Sequence, residues 1–202
     1  MTARLAVLAS GEGSNLQAIL DACALGDLDA TVVCVLSDNA NAGALARGES
    51  AGVGRVLVHP RPAATSVEFD RRAWDESLAD AVAGSSPDFV ILAGFMRLLS
   101  GSFLDRFPNR VVNLHPARPG ELPGRNAIER AFAQFVAGTR SASGVMVHLV
   151  PDEGVDDGPV LAAVDVPIVA GDTFEMFAAR MHKAEHRLLV TTLARLVEEV
   201  SA

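Results

Sequence analysis

The sequence has no tyrosine, one tryptophan and two cysteines in 202 residues. Cys23 and Cys34 both sit in apolar segments and read as buried free thiols, so no disulfide framework of a small secreted domain is implied. Basic residues are in deficit: 17 Lys and Arg stand against 25 Asp and Glu, for a formal net charge of −8. That balance argues against a nucleic-acid backbone or an anionic membrane as the main partner, because both recruit basic surface, and any anionic ligand must be met locally. Long hydrophobic runs are also missing. No stretch approaches the roughly 18 apolar residues of a membrane span, and Met1 to Leu8 is too short an apolar run for a secretory signal, so the expected compartment is the cytoplasm. There is no repeat, low-complexity tract or linker. What remains is 50% hydrophobic and 21% charged, a globular composition that excludes disorder, collagen and coiled coil. The length fits a single domain, 1–202, with a core of its own.

Strand and helix signals alternate along the chain. Leu5 to Ala9 is apolar and is stopped by Ser10-Gly11-Glu12-Gly13-Ser14-Asn15; Leu16, Ile19, Leu20 and Cys23 then recur at helical spacing. Thr31 to Leu36 and Val56 to Val58 read as strands around the helix-compatible Ala42 to Ala51. Phe69 to Val82 carries Trp74, Leu78 and Val82 four apart and precedes a buried strand, Phe89 to Ala93. Val111 to Leu114 is a further strand. Ile128, Ala131, Phe132 and Phe135 mark a helix, and Val145 to Val150 with Val160 to Pro167 read as an antiparallel hairpin. Asp172 and Glu175 read as a capping box for a long final helix. Continuous apolar strands separated by helices predict an α/β fold: a doubly wound, mostly parallel sheet with helices on both faces. Two long irregular stretches, Pro116 to Arg125 and Pro151 to Gly158, are where function concentrates in such a domain.

Four features carry chemistry. In a doubly wound sheet the ligand lies beyond the strand carboxyl ends, where backbone N–H groups at a helix N-terminus meet anions. The glycine turn at Gly11 and Gly13 suits that use, or is an ordinary tight turn with Ser14 as helix cap. It fails the dinucleotide fingerprint, because Leu16 replaces the third glycine, and it lacks the Gly-Lys-Ser/Thr of a P-loop; a phosphate monoester fits better. Strand alternation puts Asn113 and His115 on one side of the pleat with Leu114 turned into the core. Asp156 lies in a loop of four carboxylates that is either solvated or the partner of His115, in which case it raises the imidazole pKa. Glu185 falls on the buried stripe of the last helix, between Met181 and Leu188, and needs an Arg or a ligand amine or hydroxyl as partner. Lys183, off that stripe, faces solvent. The histidines His115, His148, His182 and His186 show no tight ligand spacing, so no metal is expected.

The segments Ser10-Gly-Glu-Gly-Ser-Asn-Leu-Gln-Ala-Ile19, Leu92-Ala-Gly-Phe-Met-Arg-Leu-Leu-Ser100, Asn113-Leu-His-Pro116 and Asp152-Glu-Gly-Val-Asp-Asp-Gly-Pro159 resemble, in order and across nearly the whole chain, the signatures of the folate-dependent phosphoribosylglycinamide formyltransferases. The resemblance implies that Gly13, Ser14 and Asn15 hold the phosphate of glycinamide ribonucleotide. It implies that Met96, Arg97, Leu98 and Leu99, with Arg71 and Asn113, border the site of 10-formyltetrahydrofolate, a consumed co-substrate. It further implies that Asn113, His115 and Asp156 are the catalytic trio and that Glu185 contacts the glycinamide substrate. Two stretches depart from the family: Ala117-Arg-Pro-Gly-Glu-Leu-Pro-Gly124 replaces a Ser-Leu-Leu-Pro-type run, and the segment before Asp156 is one residue longer, with Leu149 in place of an aromatic.

The implied reaction is attack of the glycinamide amine on the formyl carbon through a tetrahedral species, with Asn113 and protonated His115 as oxyanion donors and Asp156 relaying a proton through water. Neither a metal nor a covalent enzyme intermediate is required. The expected partners are two small molecules, with a homodimer left open. The rival readings are a formyltetrahydrofolate hydrolase, a formyltransferase acting on methionyl-tRNA or an amino sugar, and a non-catalytic phosphoribosyl-compound binder. The glycine turn disfavours the other formyl enzymes. The hydrolase and the tRNA enzyme also normally carry an extra domain for which this length leaves no room.

Overall fold

The computed structural model describes residues 2–59 and 70–201. Among these residues, strands β1 (Ala3–Leu8), β2 (Ala30–Ser37), β3 (Val56–Val58), β4 (Phe89–Leu92), β5 (Val111–His115), β6 (Ala142–Leu149) and β7 (Val160–Pro167) form one sheet in the order β3-β2-β1-β4-β5-β6-β7. β3 through β5 run parallel, and β6 and β7 each pair antiparallel with the preceding strand. The helices are α1 (Ser14–Leu25), α2 (Gly43–Ser50), α3 (Arg71–Ala83), α4 (Gly101–Leu104), α5 (Ala127–Val136) and α6 (Phe174–Ser201). The expected α/β fold forms, doubly wound and closed by an antiparallel hairpin and a long last helix.

Side-chain alternation along the parallel strands builds two cores. Leu5, Val7, Val35, Ile91, Val112 and Leu114 face α1, α5 and α6, where Leu16, Ile19, Ala131, Phe177, Met181 and Leu189 meet them. Ala6, Leu8, Leu36, Val90 and Val111 face the other way, against Trp74, Leu78 and Val82 of α3 and Phe103 of α4. Strands buried on both faces have to be apolar at every position, which is why these segments read as continuous runs. Asn113 and His115 alternate with Val112 and Leu114 and so stand on the α3 side of the sheet.

Several local expectations change. Ser14 is the first residue of α1 and makes no side-chain cap; Gly13 precedes it at φ 77° in the left-handed region. The final helix is capped one residue later than the capping box implied: Thr173 Oγ1 accepts from Met176 N at 3.3 Å. Asp172 instead accepts from Val169 N at 2.7 Å and holds Arg180 with both oxygens at 2.8 Å. α4 had no sequence signal because four residues give no periodicity. Phe69, expected to open the third helix, lies outside the described residues. Lys183 is exposed, as expected.

Candidate active site

Strand order reverses between β1 and β4, and the loops leaving these strands diverge there to open a crevice. The glycine turn from β1 and the Gly94 to Leu99 segment from β4 form its two sides. A hydrogen-bond chain ties them: Ser10 Oγ donates to Asp38 Oδ1 at 2.6 Å, Met96 N donates to Ser10 Oγ at 2.9 Å, and Arg97 Nε donates to Asp38 Oδ2 at 2.6 Å. The cleft has a volume of about 500 Å³ and is lined by Ser14 and Asn15, by Met96 to Leu99, by Asn113 and His115, by Asp156, and by His182 and Glu185 of α6. That volume suits a small organic ligand. Asn15 Oδ1 is buried with no hydrogen-bond partner among the described residues.

Of the site residues that the resemblance implies, Gly13 and Arg71 stand outside the lining. Gly13 does so for a packing reason: a Cβ there would lie 2.7 Å from Ala44 Cα, so this glycine lets the turn press against α2. Arg71 lies between two carboxylates, 3.6 Å from Asp75 Oδ2 and 3.6 Å from Glu153 Oε2.

Asp156 is the hub of the polar cluster. Its Oδ2 lies 3.2 Å from His115 Nδ1 and accepts from Gly124 N at 2.7 Å, while its Oδ1 accepts from Asn113 Nδ2 at 2.9 Å. Asp152 instead accepts from Gly154 N at 2.8 Å. Burial pushes the Asp156 carboxyl up, but His148, the Gly124 N–H and His115 together outweigh it and leave it below its ordinary value.

His115 is 4% exposed, and its Nε2 stands 3.0 Å from the Leu122 carbonyl. Burial pushes this imidazole below its ordinary value, against the opposing effects of Asp156 and the Leu122 carbonyl. Asp156 therefore acts in the expected direction, but desolvation is the larger effect and the net shift is downward.

Sequence reasoning missed His148, which is 2% exposed. It pairs with Asn113 across β5 and β6, with Nε2 3.1 Å from Asn113 Nδ2 and Nδ1 2.8 Å from the Leu149 carbonyl. The signal was available only through the strand register: an antiparallel β5–β6 pairing sets these two residues opposite each other. Asn113 Nδ2 donates to Asp156 and also stands against His148 Nε2. On α6, Glu185 is buried as expected, but its partner is a histidine one turn earlier: His182 Nδ1 lies 2.6 Å from Glu185 Oε2. That hydrogen bond, opposed by partial burial, raises the His182 pKa and favours an imidazolium on the cleft wall.

A crevice at a topological switch point, with an anion-compatible helix start on one side and a buried carboxylate–imidazole–amide cluster on the other, defines a small-molecule site in a doubly wound domain. Residues 3–193 match the formyl transferase family model, and the chain belongs to that family. It is 43% identical over 195 residues to the phosphoribosylglycinamide formyltransferase of Mycobacterium tuberculosis, covering 96% of this chain and 85% of that protein. It is 38% identical over 206 residues to the enzyme of the same name from Schizosaccharomyces pombe, covering 98% and 99%. Among solved structures, glycinamide ribonucleotide transformylase 1 from Geobacillus kaustophilus superposes with a TM-score of 0.86 at 36% identity, covering 98% of this chain and all of that one. Among the described residues no helix is long and apolar enough to cross a membrane.

Proposed function

We propose that this protein transfers the formyl group of 10-formyltetrahydrofolate to the amine of glycinamide ribonucleotide, giving formylglycinamide ribonucleotide and tetrahydrofolate in purine synthesis. The observation that carries the reading is the contact of Asp156 with both Asn113 and His115 in a cleft that also reaches the α1 N-terminus and Glu185. The α1 N-terminus at Ser14 and Asn15 receives the phosphate. Glu185 and His182 meet the ribose and glycinamide end. Met96 to Leu99 and the Asp156 loop flank the folate, with Arg71 at its border. The two substrates are soluble small molecules, and we place the reaction in the cytoplasm.

In this reading the neutral amine adds to the formyl carbon, a new C–N bond forms, and the carbonyl oxygen takes the negative charge. His115 and Asn113 lie beside that centre. For Asn113 to donate to the oxyanion, one of its N–H groups leaves Asp156 or His148 as the substrate enters. The proton lost by the attacking amine passes through water held by Asp156 to the folate nitrogen as the original C–N bond breaks. The test is a turnover assay with 10-formyltetrahydrofolate in the presence and absence of glycinamide ribonucleotide. Formylated ribonucleotide appearing with stoichiometric tetrahydrofolate supports the proposal. Formate release without ribonucleotide identifies a hydrolase, and binding without turnover identifies a binder.

A further inference from the structure

The stretch from Ala117 to Arg125 leaves β5 just after the catalytic candidate His115, has no regular secondary structure, and holds Gly120, Leu122 and Gly124 at φ 76°, 46° and 79°. Two of its backbone groups nevertheless fix the central pair of the site. The Leu122 carbonyl faces His115 Nε2 at 3.0 Å, and Gly124 N donates to Asp156 Oδ2 at 2.7 Å. Arginine side chains tie this loop to the elements around it.

The ties differ in quality. Arg118 reaches Asp165 at 2.7 Å, but that carboxylate is 73% exposed, and surface pairs of this kind contribute little. Arg130 donates to the carbonyls of Pro123 at 2.8 Å and Arg125 at 3.0 Å. Arg140 donates to Glu121 Oε2 at 2.5 Å, with side chains 15% and 34% exposed. Its guanidinium is itself anchored, to Gln134 Oε1 at 2.7 Å and to the Ala142 carbonyl at 3.1 Å. Arg140 is thus fixed to α5 and β6 before it holds Glu121, and Glu121 is the residue next to Leu122.

We propose that Glu121 and Arg140 act as a unit that positions His115, by holding the Leu122 carbonyl against the imidazole. His115 then sits between two fixed acceptors, Asp156 on one ring nitrogen and Leu122 on the other, with His148 as the further titratable group facing it. Displacement of a catalytic group by about 1 Å costs up to 10²-fold in rate without touching binding, which sets the scale of the effect. As a statement about turnover, this inference rests on the formyl transfer proposed above.

The experiment uses the full chain and four variants: Glu121→Ala, Glu121→Gln, Arg140→Ala and the Glu121→Ala/Arg140→Ala double variant. Glu121→Ala and Arg140→Ala each lower kcat about tenfold with KM for both substrates within about twofold, and the double variant is no worse than either single, as expected for residues that act together. Glu121→Gln, which keeps the acceptor, retains most of the rate. An NMR titration of His115 in the unliganded protein moves to lower pH in Glu121→Ala, because a contact that favours the imidazolium is lost. Urea midpoints verify that each variant is folded. Wild-type kcat with an unmoved His115 titration overturns the proposal, as do additive losses in the double variant or a rise in both KM values at constant kcat. If wild type forms no formylated ribonucleotide while the titration still moves, the formyl transfer reading has failed and the positioning claim stands.

Discussion

Asp156 Oδ2 and His115 Nδ1 lie 3.2 Å apart, with side chains 12% and 5% exposed, and Asp156 adopts a left-handed φ of 55° to make the approach. A non-glycine residue in that region carries strain, which the three groups bound to its carboxylate offset. Its charge opposes the desolvation that lowers the His115 pKa.

Replacing Asp156 by Asn removes that opposing charge, so the His115 titration shifts to still lower pH and turnover falls. Asp152→Asn and Asp157→Asn leave both unchanged, because the Asp156 carboxylate alone of the three pairs with His115. An NMR titration of His115 in the three variants, with single-turnover rates, checks this. A shift in Asp157→Asn with none in Asp156→Asn moves the role by one residue.

His115→Ala lowers turnover by roughly 10²-fold or more while leaving substrate binding largely intact, the scale of losing an acid/base or oxyanion group. The measurement is kcat alongside calorimetric binding of each substrate. Near-wild-type turnover removes His115 from the mechanism.

The two-sided core was legible because both faces of the parallel strands are covered, so Leu5 to Leu8 and Phe89 to Leu92 are apolar throughout. Asn113 and His115 were legible as a pair through period-two alternation, and Glu185 through its place on the stripe that buries Met181 and Leu189. What was not legible depends on long-range geometry. His148 joins the cluster only through the β5–β6 register, the Leu122 carbonyl and Gly124 N–H are backbone groups with no sequence signature, and the net lowering of the His115 pKa comes from burial. The cap of α6 shifted because Asp172 is held by Arg180, leaving Thr173 to bind the helix backbone.

Gly13→Ala destabilises the protein by about 1 to 3 kcal/mol, from the left-handed backbone and from the clash with Ala44. Displacing the turn from α2 also moves the Ser14 and Asn15 N–H groups, so KM for glycinamide ribonucleotide rises more than KM for the folate. Gly11 has open space around a new Cβ, and Gly11→Ala leaves the urea midpoint near wild type. Equal stability losses in the two variants contradict this account.

The pair Asp172–Arg180 makes a pH-dependent contribution to stability whose direction follows from linkage. Hydrogen bonds from Arg180 and from Val169 N lower the Asp172 pKa from 3.8 to about 2 in the folded state. The unfolded chain therefore binds the proton first as pH falls, and the contribution is fully present above the unfolded value of 3.8 and lost as pH drops through about 2. The Arg180 side chain is 32% exposed, so salt screens part of the effect. Asp172→Asn removes it at neutral pH, lowering the urea midpoint of unfolding, and the gap between wild type and variant closes on acidification through that window. The measurement is a set of urea titrations of both proteins between neutral pH and pH 2 at fixed ionic strength. A gap that persists unchanged to the lowest pH shows that Asp172 acts through shape alone and not through its charge.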